Sequence, residues 1–391
     1  MERLLIGMRD FAIEKVLSHT PPVFEVSWKG KNVCPHCGGE KLRTKDSFWR
    51  SIKNISIHGK PSQLLIRCHK YRCESCGKYF HTRLSGVKVW SRTTELLKRN
   101  IFQAYNKGIS CKDIADEHHI GVASVERYYH QVMRHKSGHW VNRECPRILG
   151  IDEHRFTRRQ GFVTTFCDLA RRRVFDVVKG RSAAEMQDFL QSLRGRYKVK
   201  IVCIDMNSAY RRLVREWFPN ARIVADRFHV IRLVNKHFSE LCKAVDEKRL
   251  AYGRGGMMRL LLTRRDRLTD AQKERLRTYF SESPGIESLY EFLHDTVDLL
   301  RIKAQNVASC RRYVGELLDK IEQLRKTPFA PLRTLGKTLH NWQEEVARMF
   351  RFTRNNGITE GFHRKMKLIQ RRAYGFRNFE NYRLRVRVLC C

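Results

Sequence analysis

The stretch that most constrains the fold is residues 198–230, KVKIVCIDMNSAYRRLVREWFPNARIVADRFHV. It holds two short apolar runs, 201–204 and 223–225, and each delivers the chain directly to an aspartate, Asp205 and Asp226. Short runs with β-branched content, the first preceded by the charged Lys198 and Lys200, read as buried strands. Between them, residues 209–218 carry helical spacing and stop at Pro219-Asn220, so the unit reads strand–helix–strand. Both aspartates then sit at the carboxyl ends of strands in one sheet, where open α/β sheets place their chemistry. Upstream, residues 147–151 form another apolar strand that ends on Asp152. Three strands that each end in an aspartate point to a carboxylate cluster that holds metal.

The surroundings of this unit extend the sheet. Residues 161–168 and 173–178 are β-rich, and 182–193 is helical with Ala183, Met186, Phe189, Leu190 and Leu193 on its apolar side. The order β-β-β-α-β-α-β predicts a mixed α/β sheet with helices, not a fully parallel nucleotide fold. Neither G-x-G-x-x-G nor G-x-x-x-x-G-K-[ST] follows any of these strands, so dinucleotide and P-loop readings lack support. Residues 231–343 turn helical, charged and leucine-rich, with a 3.6-residue pattern over 312–325, and read as an inserted helical domain. Joints are expected at 253–256 and 328–331. Residues 359–370 read as a helix with Glu360 in its first turn. Helix-dipole placement would account for that glutamate by itself, at about 0.3–1 kcal/mol. Spacing alone does not choose between that and a functional role.

Charge narrows the partner. Lys and Arg number 78 against 40 Asp and Glu, a net +38 on a folded chain, and charge of that size and sign points to nucleic acid. A membrane is disfavoured, because the sequence has neither an eighteen-residue apolar stretch nor a long basic amphipathic tail. The start, MERLLIGMRD, carries charges where a signal peptide needs an apolar core, so the cytoplasm is expected. The cysteine count of 13 is odd, which favours free thiols and metal ligation over a disulfide framework.

Four of those cysteines carry a strong signal. Cys34-Pro-His-Cys37-Gly-Gly and Cys73-Glu-Ser-Cys76-Gly-Lys are two C-x-x-C pairs, each followed by glycine. Glycine permits the tight turn that aims backbone N–H groups at thiolates, and four thiolates close a structural Zn²⁺ site. The pairs stand far apart for a ribbon, so strands within 47–68 are expected to fill the gap and lengthen it. Cys68, His69 and His36 are second-choice ligands.

Residues 93–133 read as three helices, 94–106, 110–118 and 123–132, with Ser110 as an N-cap. These are helix-turn-helix proportions, whose second helix of the motif enters the major groove. Ser124, Arg127 and His130 then share one face, spaced to reach bases or phosphates. In the arginine-dense C-terminal segment, Arg364, Lys367, Arg371 and Arg372 are further candidates for DNA contact.

Phosphodiester cleavage is served by two divalent ions roughly 3.5–4 Å apart. Mg²⁺ demands carboxylate oxygens. Asp152, Asp205 and Glu360, with Asp226 as a rival, supply acids from distant parts of the chain. At this point GIDEH (150–154), CIDMNSAY (203–210), PNARIVADRFHV (219–230) and NGITEGFHRKMKLIQRRAYGFRNFENYR (356–383) resemble the signature blocks of the ISL-three family of bacterial insertion-sequence transposases. The ribbon and helix-turn-helix follow the same order in that family. The resemblance covers essentially the whole chain. It implies a ribonuclease-H-like core interrupted by a helical insertion, with an Asp-Asp-Glu triad carried by Asp152, Asp205 and Glu360 on two Mg²⁺ or Mn²⁺ ions. It implies that water nicks the transposon end and that the freed 3′-OH attacks target DNA. Asp226 and His229 belong to a family motif, in supporting or DNA-positioning roles. His363 stands where relatives often carry asparagine.

The expected domains are a zinc ribbon (1–88), a helix-turn-helix (89–140), the first part of the catalytic domain (146–230), the helical insertion (231–345) and the catalytic C-terminal part bearing Glu360 (346–391). The expected protein binds double-stranded DNA, both terminal inverted repeats and target, as a homodimer or larger synaptic complex in the bacterial nucleoid. The alternative is a non-catalytic DNA-binding regulator derived from a transposase. A tyrosine recombinase using Tyr374 or Tyr382 would leave the strand-end acids unexplained.

Overall fold

Two long strands joined at His58-Gly59 set the N-terminal architecture. The computed structural model describes residues 6–138, 144–250, 256–304, 306–352 and 357–390, with the backbone alone at Lys248, Arg249, Gly357 and Ile358. Asn355-Asn356 and most of the joint at 253–256 lie outside the described residues. Strands β1 (Phe11–His19) and β2 (Pro22–Trp28) form one hairpin, and β3 (Leu42–Ile57) and β4 (Lys60–Cys73) form a longer one. His58 and Gly59 both take positive φ, 50° and 73°. That is the turn whose twist suits a two-residue hairpin. The sheet runs β1-β2-β4-β3, with β5 (Tyr79–His81) on β4. Every second residue of β4, Leu64, Ile66 and Cys68, packs inward on Ile52, Phe24 and Val26. This gives the lengthened ribbon its own core.

Three helices follow: α1 (Glu95–Lys107), α2 (Cys111–Glu117) and α3 (Val122–Ser137). Thr94 caps the first by accepting from Leu97 N, and Ser110 caps the second by accepting from Asp113 N at 3.1 Å. Leu97, Ile101, Ile114, Ala115 and Val125 form their shared core.

The second sheet has the order β10-β9-β6-β7-β8. Strands β6 (Ile148–Thr157), β7 (Gly161–Asp168) and β8 (Arg173–Lys179) are an antiparallel meander; β9 (Ile201–Ile204) and β10 (Arg222–Ala225) add in parallel. Helix α4 (Gln187–Ser192) precedes β9, and α5 (Ser208–Trp217) joins it to β10. Helix α4 is shorter than the apolar spacing of 182–193 predicts. The Glu185 carboxylate accepts from the backbone N–H of Arg181 and Ser182, which holds the start of that segment in turns. β6 also differs from expectation: it does not end at Asp152 but continues to Thr157. β7 pairs with it along that whole length, whereas its parallel neighbour β9 stops at Ile204.

The remaining helices are α6 (Arg227–Val245), α7 (Glu247–Leu250), α8 (Met257–Leu261), α9 (Asp270–Glu282), α10 (Pro284–Arg301), α11 (Val307–Lys326), α12 (Ala330–Asn341), α13 (Gln343–Arg351), α14 (Gly357–Arg372) and α15 (Phe379–Leu389). Residues of α10 to α13, among them Leu300, Leu335, Val346 and Phe350, share one core with the sheet residues Ile151, Val202 and Val224. A smaller cluster around Leu261, Leu276 and Phe280 serves α8 and α9. Gly336 lets α12 press against the end of α11, since a Cβ there would lie 2.7 Å from the backbone nitrogen of Arg325.

The chain forms two compact units, Met1–Val141 with Lys367–Val388, and Asn142–Met366 with Leu389–Cys391. This division groups the ribbon, helices α1 to α3 and residues 367–388 in one unit. In the first unit Arg385 is buried with its guanidinium 4.3 Å from the Tyr105 ring centre and 4.5 Å from that of Tyr129. Arg372 Nη1 donates to Asn106 O and Tyr374 to Gly108 O, so both tie down the end of α1.

Candidate active site and metal centre

The parallel register brings the acids together. β6 and β9 pair Ile148 with Ile201 and Gly150 with Cys203; β10 and β9 pair Ala225 with Ile204. Continuing those registers sets Asp152, Asp205 and Asp226 abreast on three adjacent strands. Residues level in parallel strands face the same side. The apolar runs that precede them are buried, so the chain has no freedom to slip.

Burial then works against the charges. The Asp152 carboxyl is pushed up to about 7, first by desolvation and further by Asp205 and Asp226, against the pull of His229 and the Glu153 N–H. Asp205 is pushed up to about 6, again first by desolvation, then by Glu153 and Asp226. Its Oδ1 is buried without a hydrogen-bond partner. Two desolvated carboxyls with raised pKa and an orphaned carboxylate oxygen are a donor set that suits a hard divalent cation.

Asp226 is otherwise engaged. Its Oδ1 accepts from Phe228 N at 3.2 Å, capping α6, and its Oδ2 accepts from His229 Nδ1 at 2.8 Å. That contact, more than any other, raises the His229 pKa. The neighbouring Arg227 turns the other way and is buried. Its guanidinium donates to the carbonyls of Arg301 (2.9 Å), Ile302 (3.1 Å) and Met349 (2.7 Å), at the ends of α10 and α13. Orphan carbonyls of two helix ends are thereby satisfied, and the helices are clamped to the strand end that bears Asp226. The sequence reading gave Arg227 no part.

Glu360 stands apart from the aspartates. Its carboxylate is half exposed and accepts from Arg364 Nη2 at 2.8 Å. Among the described residues, no three of these acids bring ligand atoms within 4.8 Å of one another. Its helix is nonetheless beside them. His363 Nδ1 lies 3.8 Å from Asp152 Oδ2, and its ring is 4.4 Å from that of His154. Thr359 is buried and hydrogen-bonds Cys167 of β7. Sequence reading also passed over Glu153, which accepts from the buried Tyr210 hydroxyl at 3.1 Å; both residues lie within quoted blocks.

The cysteines do form a group. Cys34, Cys37, Cys73 and Cys76 place their Sγ atoms within 4.8 Å of one another, at 3.6 Å for Cys34–Cys76 and for Cys37–Cys73. Tetrahedral thiolates on zinc would stand about 3.8 Å apart. Gly38 and Gly77 close the knuckles at φ 73° and 70°, donating to Cys34 O and Cys73 O. The backbone N–H of Cys76 brings Cys73 down to about 6, so one thiolate forms readily. Cys68 is buried in the ribbon core, and neither it nor His69 or His36 belongs to the group.

Of the DNA-binding candidates, Arg127 is exposed and donates to Ser124 Oγ at 3.0 Å. His130 is half-buried beside Tyr129, and its pKa is lowered by burial and by Arg385. Lys367 and Arg371 are exposed, and Arg364 is exposed while holding Glu360. No helix among the described residues is long and apolar enough to cross a membrane.

A row of carboxylates on a mixed sheet, together in one strongly basic chain with a four-cysteine ribbon, is what a transposase of the DDE class combines. Residues 149–386 match the DDE transposase family of the ISL3 group, and residues 31–76 match the zinc-finger of the transposases of IS204, IS1001, IS1096 and IS1165. The chain belongs to this ISL3 transposase family. It is 24% identical over 365 residues to the transposase for insertion sequence element IS1001 of Bordetella parapertussis, covering 91% of this chain and 88% of that one.

Proposed function

We propose that the chain is a working DNA transposase that binds the terminal inverted repeats of an insertion sequence, cleaves at the element boundary and joins the freed 3′ end to target DNA. The observation that carries this reading is the level pair Asp152 and Asp205, with raised carboxyls and one oxygen left without a partner. A regulator that only binds DNA gains nothing from so costly a pair.

Asp152 and Asp205 would hold Mg²⁺ or Mn²⁺, with Glu360 as the third acid. Bound divalent ions supply acidification of the attacking water and charge neutralisation at the phosphate. Glu360 joins by leaving Arg364: it shares a helix face with His363, three residues on, which already sits beside Asp152. His229, its charged form favoured by Asp226, offsets negative charge beside the aspartates. In the first step a water oxygen bonds to phosphorus, the bond to the 3′ oxygen breaks, and that oxygen leaves as hydroxyl. In the second the hydroxyl loses its proton and attacks a target phosphodiester, so that one P–O bond forms as another breaks.

The sheet order, a three-strand meander extended by two parallel strands, supports a ribonuclease-H-like core. The three helices α1 to α3, the first two capped by Thr94 and Ser110, support a helix-turn-helix that lays α3 in the major groove. Ser124 and Arg127 would read DNA there, His130 would position the helix, and Lys367 and Arg371 would meet phosphates. Four thiolates would hold Zn²⁺ as a structural ion.

The test is cleavage of duplexes carrying the element's ends in Mg²⁺ or Mn²⁺, with binding followed alongside. Wild type is expected to nick at the boundary. Asp205→Asn and Glu360→Gln should bind equally and cut more slowly by about 10²-fold or more, the scale of losing a group that stabilises developing charge. Equal cutting by either variant removes that residue from the triad.

A further inference from the structure

The first unit contains a cavity of about 650 Å³ that the carboxylate chemistry does not use. It opens where β3, β4 and β5 meet the segment leading to α1. Phe48, His81 and Trp90 line it, together with Arg50, Lys53 and Arg92, and no carboxylate is among the described residues on its walls. The rings form a chain of contacts: His81 is 5.5 Å from Phe48 and 4.9 Å from Trp90, centre to centre.

Trp90 is the unusual member. It is 71% exposed, and its backbone sits at φ 63°, a region that bulky L-residues enter only at a cost. The neighbouring backbone holds it there. Arg50 Nη2 donates to Ser91 O at 2.7 Å, Ser91 N to Lys88 O at 2.9 Å, and Ser91 Oγ to Thr93 O at 2.8 Å. A loop with no task for that ring would be expected to fold it inward. Lys53 places its ammonium on His119 O and Arg50 one of its nitrogens on Ser91 O, so the exposed Arg92 is the foremost cation at the cavity, with the remaining donors of half-buried Arg50 beside it.

Aromatic faces beside cations, without an acid, match a planar ring joined to an anion. The volume is that of a small-ligand pocket, about 300–1,000 Å³. Duplex DNA offers phosphates but keeps its bases stacked and paired; an unpaired nucleotide offers both ring and phosphate. We propose that this cavity binds an unpaired nucleotide of single-stranded or frayed DNA, with its base against Trp90 and His81 and its phosphate toward Arg92 and Arg50. The proposal rests on the DNA reading above, since cleavage at the element boundary creates a duplex terminus whose last base pairs fray.

Fluorescence anisotropy on the full chain compares two forked duplexes, one ending in unpaired thymidines and the other in as many abasic residues. Their phosphates are equal, so only the bases differ. Wild type is expected to prefer the thymidine fork by roughly 5- to 150-fold, the range for one stacked base. Trp90→Ala should lose that preference and bind blunt duplex as before, while Trp90→Phe, which keeps an aromatic face, should retain most of it. Equal affinity of wild type for the two forks overturns the proposal, and so does a preference that survives in Trp90→Ala. Either result leaves blunt-duplex binding, and with it the transposase reading, intact. Failure to bind any duplex overturns both.

Discussion

Replacing Asp205 with asparagine should make the metal-free protein more stable. The carboxyl of Asp205 rises from 3.8 to about 6 on folding because it is desolvated and faces Glu153 and Asp226. A raised carboxyl binds its proton more tightly in the folded chain, so stability contributed by the neutral form is lost as pH climbs from 3.8 toward 6. Each pKa unit corresponds to about 1.4 kcal/mol, so ionised Asp205 costs the folded state up to roughly 3 kcal/mol above pH 6. Asparagine keeps the shape and removes the charge. It also relieves Asp152, whose rise to about 7 has Asp205 among its causes. For a folding unit of this size the gain corresponds to about 3–10 °C in Tm. Thermal unfolding in chelator at pH 8 is the assay. The advantage should fall to about half at pH 5, to about 0.5 kcal/mol at pH 4, and vanish below about pH 3, where the carboxylate is protonated in both states. Adding Mn²⁺ at pH 8 should raise the wild-type Tm and move Asp205→Asn far less, because an ion that binds only the folded state stabilises only what it binds. An Asp205→Asn protein that melts below wild type in chelator at pH 8 would refute this account of the site. So would an advantage that is constant with pH.

Two further changes test the frame around the site. Cys73→Ser should abolish stoichiometric zinc in a metal assay and unfold the ribbon, whose metal is worth roughly 10–16 kcal/mol in comparable thiolate sites. Cys68→Ala should keep its zinc, and zinc loss in that variant would return Cys68 to the ligand set. Arg227→Met should cost roughly 3 kcal/mol in denaturant unfolding, because it strips donors from three helix-end carbonyls, one buried and two part-buried; a loss under about 1 kcal/mol would show that water reaches those carbonyls.

Much of this arrangement was legible because local signals and tertiary demand agreed. The apolar runs that end at Asp205 and Asp226 are strands, and the shared register that sets three aspartates abreast needed only that both runs be buried. The C-x-x-C-Gly knuckles, Ser110 as a cap and the strand-rich gap between the cysteine pairs are likewise written in short windows. What stayed hidden depends on partners far away in sequence. β6 runs past Asp152 because β7 continues beside it. The helices after α6 read as a separate insertion because their leucines have ordinary amphipathic spacing. Nothing in that spacing shows that their buried faces belong to the sheet's own core, or that Arg227 reaches across to Arg301 and Met349.

Glu360 marks where pattern reading ends for a different reason. Its helix is held by buried Thr359 and by His363 against β6 and β7, yet the carboxylate itself rests on Arg364. The pairing follows from helix geometry: Arg364 lies one turn on from Glu360, on the same face, where an opposite charge is the nearest partner. The groups around the site are satisfied, with Asp226 on His229 and the α6 N-terminus, Arg227 on three carbonyls and Tyr210 on Glu153. Asp152 and Asp205 are left at a cost. Stability alone favours neutral residues at both positions, and that cost supports our proposal that Asp152 and Asp205, rather than the better-bonded Asp226, serve the chemistry.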